Sequence, residues 1–486
     1  MPKELHSPSA TNAPPNEAYQ RAVQLLQACK SPHGFVASPI KHRNYHRIWA
    51  RDGAIIALAA LLIGDQGLRE AAGRTFITLA QHQGPHGEIP SNVDPIAGRV
   101  SYGGTAGRID ANLWFLIGCG EYWRATGDEA FLNRMTPVIE KIRFLLGAWE
   151  LNNRGLLYIP LTGDWADEYL RNGYVLYDQL LYLQAQRTLA KVHESVHGSA
   201  DHALTERISR LRHLIRCNYW FAEDDDSPLP DDVYHEVLYR KGLQAASHCR
   251  NRHWMASFSP AGYSYRFDAL ANVLASLLGV ADEAQRQRVD EFIADGIAQK
   301  LVQDSDQDSD QDIKQDINHH SDHDWHGRKA ALLPAFHPVI HPVDDDWEDL
   351  QMMFSYSFKN EPYEYHNGGL WPMVTGFYVC DLARRGLQEQ AQRFLDGINR
   401  ANALPMDGEP WGFAEYIHGR DLTPRGTRHQ GWSAAAAIIG QHALDGQAPF
   451  CLDLIEESND KPRTQGRVSG SARKGDNART ARRLGR

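Results

Sequence analysis

Helical periodicity is the feature that most restricts the fold of this chain. Through most of the first 445 residues, apolar side chains recur at the three-to-four-residue spacing of an amphipathic helix, and no long strand–helix alternation accompanies them. Breaks such as Gly64-Asp65 and Thr126-Gly127-Asp128 separate successive helices. Helices are therefore predicted at 17–30, 51–63, 67–82, 108–126, 128–149, 174–195, 201–220, 266–278, 281–300, 368–385, 387–402 and 429–445.

This succession of helices predicts an all-α fold. Twelve helices in six consecutive pairs suit a closed ring of six hairpins, an (α/α)6 barrel, which makes 17–450 one domain although 486 residues suggest roughly three domains of about 150 residues. An open helical solenoid is the alternative, but the sequence lacks the repeat of fixed period that a solenoid needs. The aromatic segments Arg252–Tyr265 and Phe354–Phe358 are predicted to be short strands or extended loops.

Segments of unusual charge and low complexity lie apart from the helices. The stretch 303–324 holds eight Asp and one Lys, and it is interpreted as an acidic insert in a surface loop. The tail at 451–486 is basic, with nine Lys or Arg and one Asp in 461–486 alone. This tail and the polar, Pro-rich segment 1–16 are predicted to be disordered. Attraction of the tail to nucleic acid is the less favoured interpretation.

The acidic insert does not have the pattern of a calcium loop. It begins Asp-x-Asp-x-Asp at Asp304, but Ser309 and Gln315 stand where an EF-hand loop needs Gly and Glu. A metal role for this insert, with His319 and His320 included, is therefore disfavoured, and no metal site is predicted.

Composition narrows the class of protein. Hydrophobic residues make up 42% and charged residues 23% of the chain, which is typical of a folded protein in water. The longest apolar run, near 54–64, is too short for a membrane span, and no secretory signal is recognised. The six Cys lie far apart without a Cys-x-x-Cys motif, which favours reduced thiols and a cytoplasmic location.

Residues whose side chains could take part in catalysis or binding are concentrated in the predicted connections between helices. No nucleophile elbow, P-loop or His-Glu-x-x-His motif is present, so the shared theme is carboxylates beside aromatic residues. Two carboxyl groups across a sugar pocket are the minimum for glycoside hydrolysis. The five clusters are Ile48–Asp52, Tyr102–Asp110, Gly163–Glu168, Tyr363–Pro372, and Phe413–Tyr416 with Pro424–Gly426.

Asp167 and Glu415 are the candidates for such a pair. The ring of Trp165 could desolvate Asp167 and raise its pKa, as a general acid at neutral pH requires, and Glu415 stands among aromatics in a similar setting. Each cluster also has a structural interpretation. These are an Arg51–Asp52 ion pair, a helix cap at Asp110, an Asx-turn at Asp164, a structural hydrogen bond of His366 and a simple turn at Gly368-Gly369.

The clusters resemble, in the same order, the six-hairpin (α/α)6 glycosidases over about residues 17–445. Arg108–Phe115, Thr126–Asp128 and Pro424–Ser433 are similar to the patterns of the amylo-α-1,6-glucosidase domain, which is the C-terminal domain of glycogen-debranching enzymes. Pro362–Pro372, PYEYHNGGLWP, and the Arg266–Asn272 region are similar to the alkaline/neutral invertases. Mannosylglycerate-hydrolase-like enzymes are more distant relatives by the same resemblance.

The resemblance implies roles for particular residues. The general acid corresponds to Asp167 in Trp165-Ala166-Asp167, with Asp164 as a nearby competitor. The general base corresponds to Glu415, although Phe-Ala precedes it where the invertases have Trp-Pro. The residues expected to bind substrate are Trp49, Arg51, Asp52, Tyr102, Asp110, Asp164, Trp165, His366, Asn367, Trp371 and Gln430.

The resemblance further implies an inverting, exo-acting glycoside hydrolase of α-glucosidic bonds, similar to amylo-α-1,6-glucosidases. In that mechanism Asp167 protonates the glycosidic oxygen and Glu415 activates water, so the carboxyl groups should stand roughly 6.5–9.5 Å apart. No cofactor is expected, since side chains and water supply both protons. The expected partner is a carbohydrate, without membrane or specific nucleic acid, and a homo-oligomer is compatible with the sequence. Hydrolysis of sucrose or of a small glucoside such as glucosylglycerate, an inactive carbohydrate-binding relative and a phosphorylase remain alternatives.

Overall fold

The computed structural model describes residues 17–221, 229–249, 253–297, 331–353 and 357–450. The acidic insert, residues 1–16, the tail at 451–486 and part of the predicted segment Phe354–Phe358 lie outside the described residues. The helices are α1 (Glu17–Ala28), α2 (Ala50–Ile63), α3 (Gln66–Gln81), α4 (Ile109–Thr126), α5 (Glu129–Trp149), α6 (Leu176–His197), α7 (His202–Tyr219), α8 (Glu236–Cys249), α9 (Ala269–Leu277), α10 (Glu283–Glu291), α11 (Trp347–Gln351), α12 (Pro372–Arg384), α13 (Gln388–Ala403) and α14 (Gly431–Leu444).

Six of these helices form a closed inner ring. Around the ring, α2 contacts α4, α4 contacts α6, α6 contacts α9, α9 contacts α12, α12 contacts α14, and α14 returns to α2. These helices are buried along nearly all of their length or, for α2 and α6, through most of it. Apart from α6, which also buries several polar side chains, they are apolar around most of their circumference, as expected of helices that pack on every side. The predicted (α/α)6 barrel is therefore confirmed.

An outer layer of amphipathic helices covers the ring. Helices α3, α5 and α7 pack against α2, α4 and α6, and α13 packs against α12 and α14. Three of these outer helices begin at an aspartate whose side chain accepts a hydrogen bond from a backbone N–H in the first turn. These aspartates are Asp65 for α3, Asp128 for α5 and Asp201 for α7.

Short strands occupy the connections at the N-terminal ends of the inner helices. The strands are β1 (Lys30–Ser31), β2 (Gly34–Phe35), β3 (Ile48–Trp49), β4 (Asn92–Asp94), β5 (Arg99–Ser101), β6 (Tyr174–Val175), β7 (Ser257–Ser259), β8 (Gly262–Ser264), β9 (Phe267–Asp268), β10 (Phe336–His337), β11 (Tyr416–Ile417) and β12 (Pro424–Arg425). All of their pairings are antiparallel. Strands β3, β6 and β9 lead directly into α2, α6 and α9, so they fix where these inner helices begin.

All twelve predicted helices have a counterpart in the described residues, with shifted ends. Helix α12 begins at Pro372, four residues after the predicted start, because proline suits the first helical turn. The predicted helix 281–300 corresponds to α10 followed by a π-helical turn at Phe292–Ile297. Helices α8 and α11 were not predicted. The predicted strand region Arg252–Tyr265 contains the hairpin of β7 and β8. None of the described helices is both long and apolar enough to span a membrane.

Candidate active site

Most of the predicted site residues meet at the N-terminal ends of the inner helices. Asp52 and Asp110 lie in the first turns of α2 and α4, and Trp371 and Gln430 precede the first residues of α12 and α14. Carboxylates are favoured at such positions because the unpaired N–H groups give a helix N-terminus a partial positive charge. The ring therefore assembles side chains from four distant parts of the chain at one end.

A buried polar network joins three of these helices. Arg51 Nη1 donates to Asp110 Oδ2 at 3.0 Å, and Gln430 Nε2 donates to Asp52 Oδ1 at 2.8 Å. Burial raises the pKa of Asp52 to about 6, against the attraction of Arg51. The hydroxyl of Tyr177 also donates to Asp110, at 3.2 Å. Asp110 is therefore an ion-pair partner within the first turn, and the capping position predicted for it belongs to Arg108.

Glu415 is a buried carboxylate that is held by three hydrogen-bond contacts. The hydroxyl of Tyr45 lies 2.9 Å from both carboxylate oxygens, and the backbone N–H of Thr427 donates to Oε2 at 3.1 Å. Burial raises the pKa of Glu415, although Lys359 and these hydrogen bonds oppose the rise. Gly426 makes this arrangement possible, because a Cβ at that position would lie 2.4 Å from Oε2. The Pro-Arg-Gly motif thus supplies a close backbone approach to the carboxylate.

Asp167 has a different environment from the one the sequence suggested. Its Oδ2 accepts a hydrogen bond from Arg108 Nη2 at 2.7 Å, and its side chain is 21% exposed. Burial acts to raise the pKa of Asp167, but the charges of Arg108 and Arg51 outweigh burial and hold it below its ordinary value. The expectation that the Trp165 ring raises this pKa was wrong, because a guanidinium group lies against the carboxylate.

Two tyrosines link the surroundings of the two carboxylates. The negative charges of Glu415 and Asp167 both contribute to raising the pKa of Tyr45 and of Tyr365, after the larger effect of burial. Lys359 stands close to the same groups, with its ammonium 4.7 Å from the Tyr365 ring and 3.3 Å from Glu168 Oε1. Asp167 and Glu415 therefore share neighbours and belong to one electrostatic site.

The predicted aromatic residues form a packed wall. Trp165, His366 and Trp371 are each about 1% exposed, and the ring centroids of Trp165 lie 4.8 Å from His366 and 5.5 Å from Trp371. His366 stacks on Tyr365 at 4.1 Å, and burial lowers its pKa to about 3, so it is neutral. These rings pack as buried residues beside the site. The ring Nδ1 of His366 has no hydrogen-bond partner among the described residues, so the structural hydrogen bond suggested for His366 is not made through that atom.

Asp164 and Asn367, two of the predicted binding residues, use their polar atoms in structural contacts. Asp164 accepts from the N–H of Ala166 at 2.8 Å, which is the Asx-turn interpretation, and it is ion-paired with Arg171 at 2.6 Å. Both carboxylate oxygens of Asp164 are therefore occupied, whereas Asp167 Oδ1 has no hydrogen-bond partner among the described residues, which favours Asp167 for the acid role. Asn367 donates to the carbonyls of Ile340 and Asn360 and accepts from the N–H of Ile340, so its amide pins two loops together.

Trp49 and Tyr102 occupy more exposed positions. The indole N–H of Trp49 donates to the carbonyl of Asn44 at 2.9 Å, and the Tyr102 hydroxyl donates to the carbonyl of His82 at 2.8 Å. Tyr102 is 39% exposed. Neither hydrogen bond leads to a carboxylate of the site, and a role in binding substrate remains a prediction for both residues.

Sequence reasoning missed several members of the site. Tyr45, Lys359 and the role of Arg108 carried no recognisable signal, since each acts through a contact with a residue far away in the sequence. Asp178 was also missed. It is fully buried, and burial beside Asp164 and Asp110 raises its pKa well above its ordinary range. Within the described ranges, no group of three or more His, Cys, Asp or Glu side chains has the arrangement of a metal site.

Comparison with a family model gives one match. Residues 23–148 match the model of a family described as amylo-alpha-1,6-glucosidase. The matched residues include the first hairpins of the ring. Among curated proteins, the chain is 22% identical over 390 residues to cytosolic invertase 1 of Oryza sativa subsp. japonica. That alignment covers 74% of this chain, and the chain spans 60% of the length of the invertase.

Solved structures share the fold at low sequence identity. The GH63 mannosylglycerate hydrolase of Thermus thermophilus, in complex with Tris, superposes with a TM-score of 0.53 at 17% identity and covers 87% of this chain and 99% of its own. A bacterial glucoamylase in complex with acarbose gives a TM-score of 0.55 at 13% identity and covers 91% of this chain and 57% of its own. Both likenesses concern the arrangement of the helical ring.

Proposed function

We propose that this chain, which belongs to the six-hairpin (α/α)6 glycosidases, is an inverting, exo-acting glycoside hydrolase that cleaves α-glucosidic bonds in the manner of amylo-α-1,6-glucosidases. The observation that carries the proposal is the pair Asp167 and Glu415. The two carboxylates come from separate loops, share Tyr45 and Tyr365 as neighbours, and have different hydrogen-bond partners.

In this mechanism Asp167 gives its proton to the glycosidic oxygen while the bond to the anomeric carbon breaks. Glu415 takes a proton from the water that attacks that carbon from the opposite face. The Tyr45 hydroxyl and the Thr427 N–H orient the Glu415 carboxylate toward that water. Both groups also stabilise the ionised form of Glu415, which is the form that a base requires.

The buried network of Arg51, Asp52, Asp110 and Gln430 is proposed to hold the hydroxyl groups of the terminal sugar. Arg51 Nε and Gln430 Oε1 are buried and have no hydrogen-bond partner among the described residues, so each has capacity left for a ligand. Such unsatisfied buried groups are costly unless a ligand or water pairs with them. A sugar ring, with hydroxyls that both donate and accept, suits a site of this kind.

Hydrolysis of sucrose is the second candidate. It is supported by the alignment with cytosolic invertase 1, which extends over 74% of this chain and so reaches beyond the 126 residues of the family-model match. A small glucoside is a further candidate substrate, since a mannosylglycerate hydrolase is among the structural neighbours. A cytoplasmic location is also part of the proposal, and the buried free thiols of Cys29, Cys119, Cys217 and Cys380 agree with it.

The test is a panel of isomaltose, limit dextrin, sucrose, trehalose and glucosylglycerate, with the anomer of the released sugar followed by NMR. We expect cleavage of isomaltose and limit dextrin with release of β-glucose, because inversion converts an α-linkage into a β-product. Release of α-glucose would contradict the inverting mechanism. Cleavage of sucrose alone would favour the second candidate, and glucose 1-phosphate formed only with phosphate would identify a phosphorylase.

A further inference from the structure

Arg108 lies at the end of a glycine-rich loop, directly before α4. Gly103, Gly104 and Gly107 in this loop all have positive φ, at 101°, 40° and 84°. The N–H of Gly107 donates to the carbonyl of Gly103 at 2.7 Å and closes a tight turn. Positive φ is readily accessible to glycine, so the segment that carries Arg108 is built from residues with unusual backbone freedom.

The guanidinium group of Arg108 joins two loops of the site. Its Nη2 donates to Asp167 Oδ2 at 2.7 Å, and its Nη1 donates to the carbonyls of Thr162 and Gly107. The other carboxylate oxygen, Asp167 Oδ1, is buried and has no hydrogen-bond partner among the described residues. One oxygen of Asp167 is therefore neutralised by a cation and the other is unoccupied.

This arrangement conflicts with the duty of a general acid, which must carry a proton when the substrate is bound. A guanidinium at 2.7 Å favours the ionised carboxylate. The other cations near Asp167 are Arg51, which is paired with Asp110, and Lys359, which is paired with Glu168. His366 is neutral, and Tyr45, Tyr365 and Glu168 complete the titratable surroundings. Of these groups, Arg108 is the one that donates a hydrogen bond to the Asp167 carboxylate among the described residues.

We propose that Arg108 is a positioning residue that changes partner when substrate binds. In the free protein it binds Asp167 Oδ2, and in the complex it binds an oxygen of the aglycone instead. Asp167 then takes up a proton from bulk water, which it passes to the glycosidic oxygen, and Arg108 stays cationic throughout. This inference rests on the proposed function, because it assumes that Asp167 is the acid.

The pH dependence of Arg108→Met tests the exchange. The profile of kcat/KM reports the free protein and the profile of kcat reports the complex. Measured on the disaccharide of the panel that is cleaved, isomaltose in the first instance, the optimum of kcat/KM should move up by about half a pH unit or more in Arg108→Met. The optimum of kcat should move less, because Arg108 has already left Asp167 in the wild-type complex.

Two glycine variants provide a second route if Arg108→Met does not fold. In Gly103→Ala the new Cβ would lie 2.3 Å from Arg108 Cγ and 3.0 Å from Arg108 N, at a φ of 101° that strains an alanine, so the Arg108 segment must move, which should shift the kcat/KM optimum in the same direction. Gly104→Ala is the control, because it introduces an alanine at positive φ, 40°, in the same loop and so shares the backbone strain without the close contact. Its Cβ would meet only Arg108 Nη1, at 4.0 Å, and its optimum should equal that of the wild type.

Equal shifts in both profiles would reject the exchange, and no shift in either would reject the role of Arg108. If Asp167→Asn or Glu415→Gln keeps wild-type activity, the proposed function fails instead. If no sugar is cleaved, urea unfolding of Arg108→Met, Asp167→Asn and the double variant still tests the contact. We expect a coupling equivalent to about a tenfold change in the unfolding equilibrium, and absence of coupling would reject the ion pair.

Discussion

The two ends of the inner helical ring differ in how they use buried charge. At the N-terminal ends, carboxylates such as Asp52 and Asp110 lie in the first turns, and buried atoms of Arg51 and Gln430 are left without partners among the described residues. At and just beyond the C-terminal end of α9, arginines donate to backbone carbonyls, two of which belong to the last helical residue and to the cap residue that follows it. These bonds run from Arg187 to Leu278, from Arg384 to Leu277, from Arg212 to Gly279 and from Arg216 to Val280.

The far end of the ring also has a cavity, and several of the charged side chains that line it are paired with one another. A polar cavity of about 630 Å³ lies toward the C-terminal ends of α9 and α12, with Asp381 and Arg385 in its lining. Arg385 pairs there with Asp381 at 3.1 Å and Asp290 at 2.6 Å, so both carboxylates have a cationic partner. At the N-terminal end, Asp167 has a buried oxygen without a hydrogen-bond partner among the described residues, and burial raises the pKa of Glu415. The chemistry is proposed for that end.

The largest effect is expected from the carboxylates themselves. Asp167→Asn and Glu415→Gln should each lower kcat by about 10²–10⁴-fold, because each removes one proton transfer from the reaction. Both variants should keep the circular dichroism spectrum and the midpoint of urea unfolding close to those of the wild type. Turnover within a few-fold of the wild type in either variant would remove that residue from the mechanism.

The second-largest effect is expected from removing a buried cation that lies outside the proposed catalytic pair. Arg171 is 2% exposed at its side chain and is paired with Asp164 and Asp268, so Arg171→Met leaves two buried carboxylates without their cation. The free energy of unfolding should fall by about 3–5 kcal/mol. Urea denaturation measures this loss, and Arg74→Met is the control, since its pair with Glu70 is exposed and should be worth less than about 1 kcal/mol.

Asp52 should make stability depend on pH. Burial raises its folded pKa to about 6, above the value of about 3.9 for an unfolded chain, so folding favours the protonated form. The contribution of Asp52 to stability is therefore present below pH 4 and lost as the pH rises to about 6. Asp52→Asn should gain about 2–3 kcal/mol relative to the wild type between pH 4 and pH 7. If the difference in the free energy of unfolding between Asp52→Asn and the wild type does not change from pH 4 to pH 7, burial does not set the pKa of Asp52.

The smallest effect tests whether the two ends act independently. Arg385→Met breaks the pairs with Asp381 and Asp290 at the far end and should lower the free energy of unfolding by about 1–2 kcal/mol. Its kcat and KM on the cleaved sugar should equal those of the wild type. A tenfold loss of kcat in this variant would mean that the far end is coupled to the site.

Much of the fold followed from local patterns. The inner helices were predictable because their apolar residues and their breaks at Gly64 and Gly127 lie within a few residues of one another in the sequence. Helix α8 was missed, although its residues 236–249 form a regular helix with apolar residues at helical spacing. The motifs also led to the six-hairpin glycosidases, and the comparisons found similarity to an amylo-alpha-1,6-glucosidase family model over residues 23–148, to an invertase and, in fold, to a solved mannosylglycerate hydrolase.

The sequence by itself therefore determined the helical ring and the identity of most candidate residues, since periodicity, capping and motif order are local properties. Only the tertiary structure decided their environments. The contacts of Arg108 with Asp167 and of Tyr45 with Glu415 join residues 59 and 370 positions apart, and closure of the ring is what brings them together. Such contacts set the protonation of a carboxyl group because Coulomb and desolvation effects depend on distance in space. That is why Trp165 suggested a raised pKa for Asp167 and Arg108 produced a lowered one.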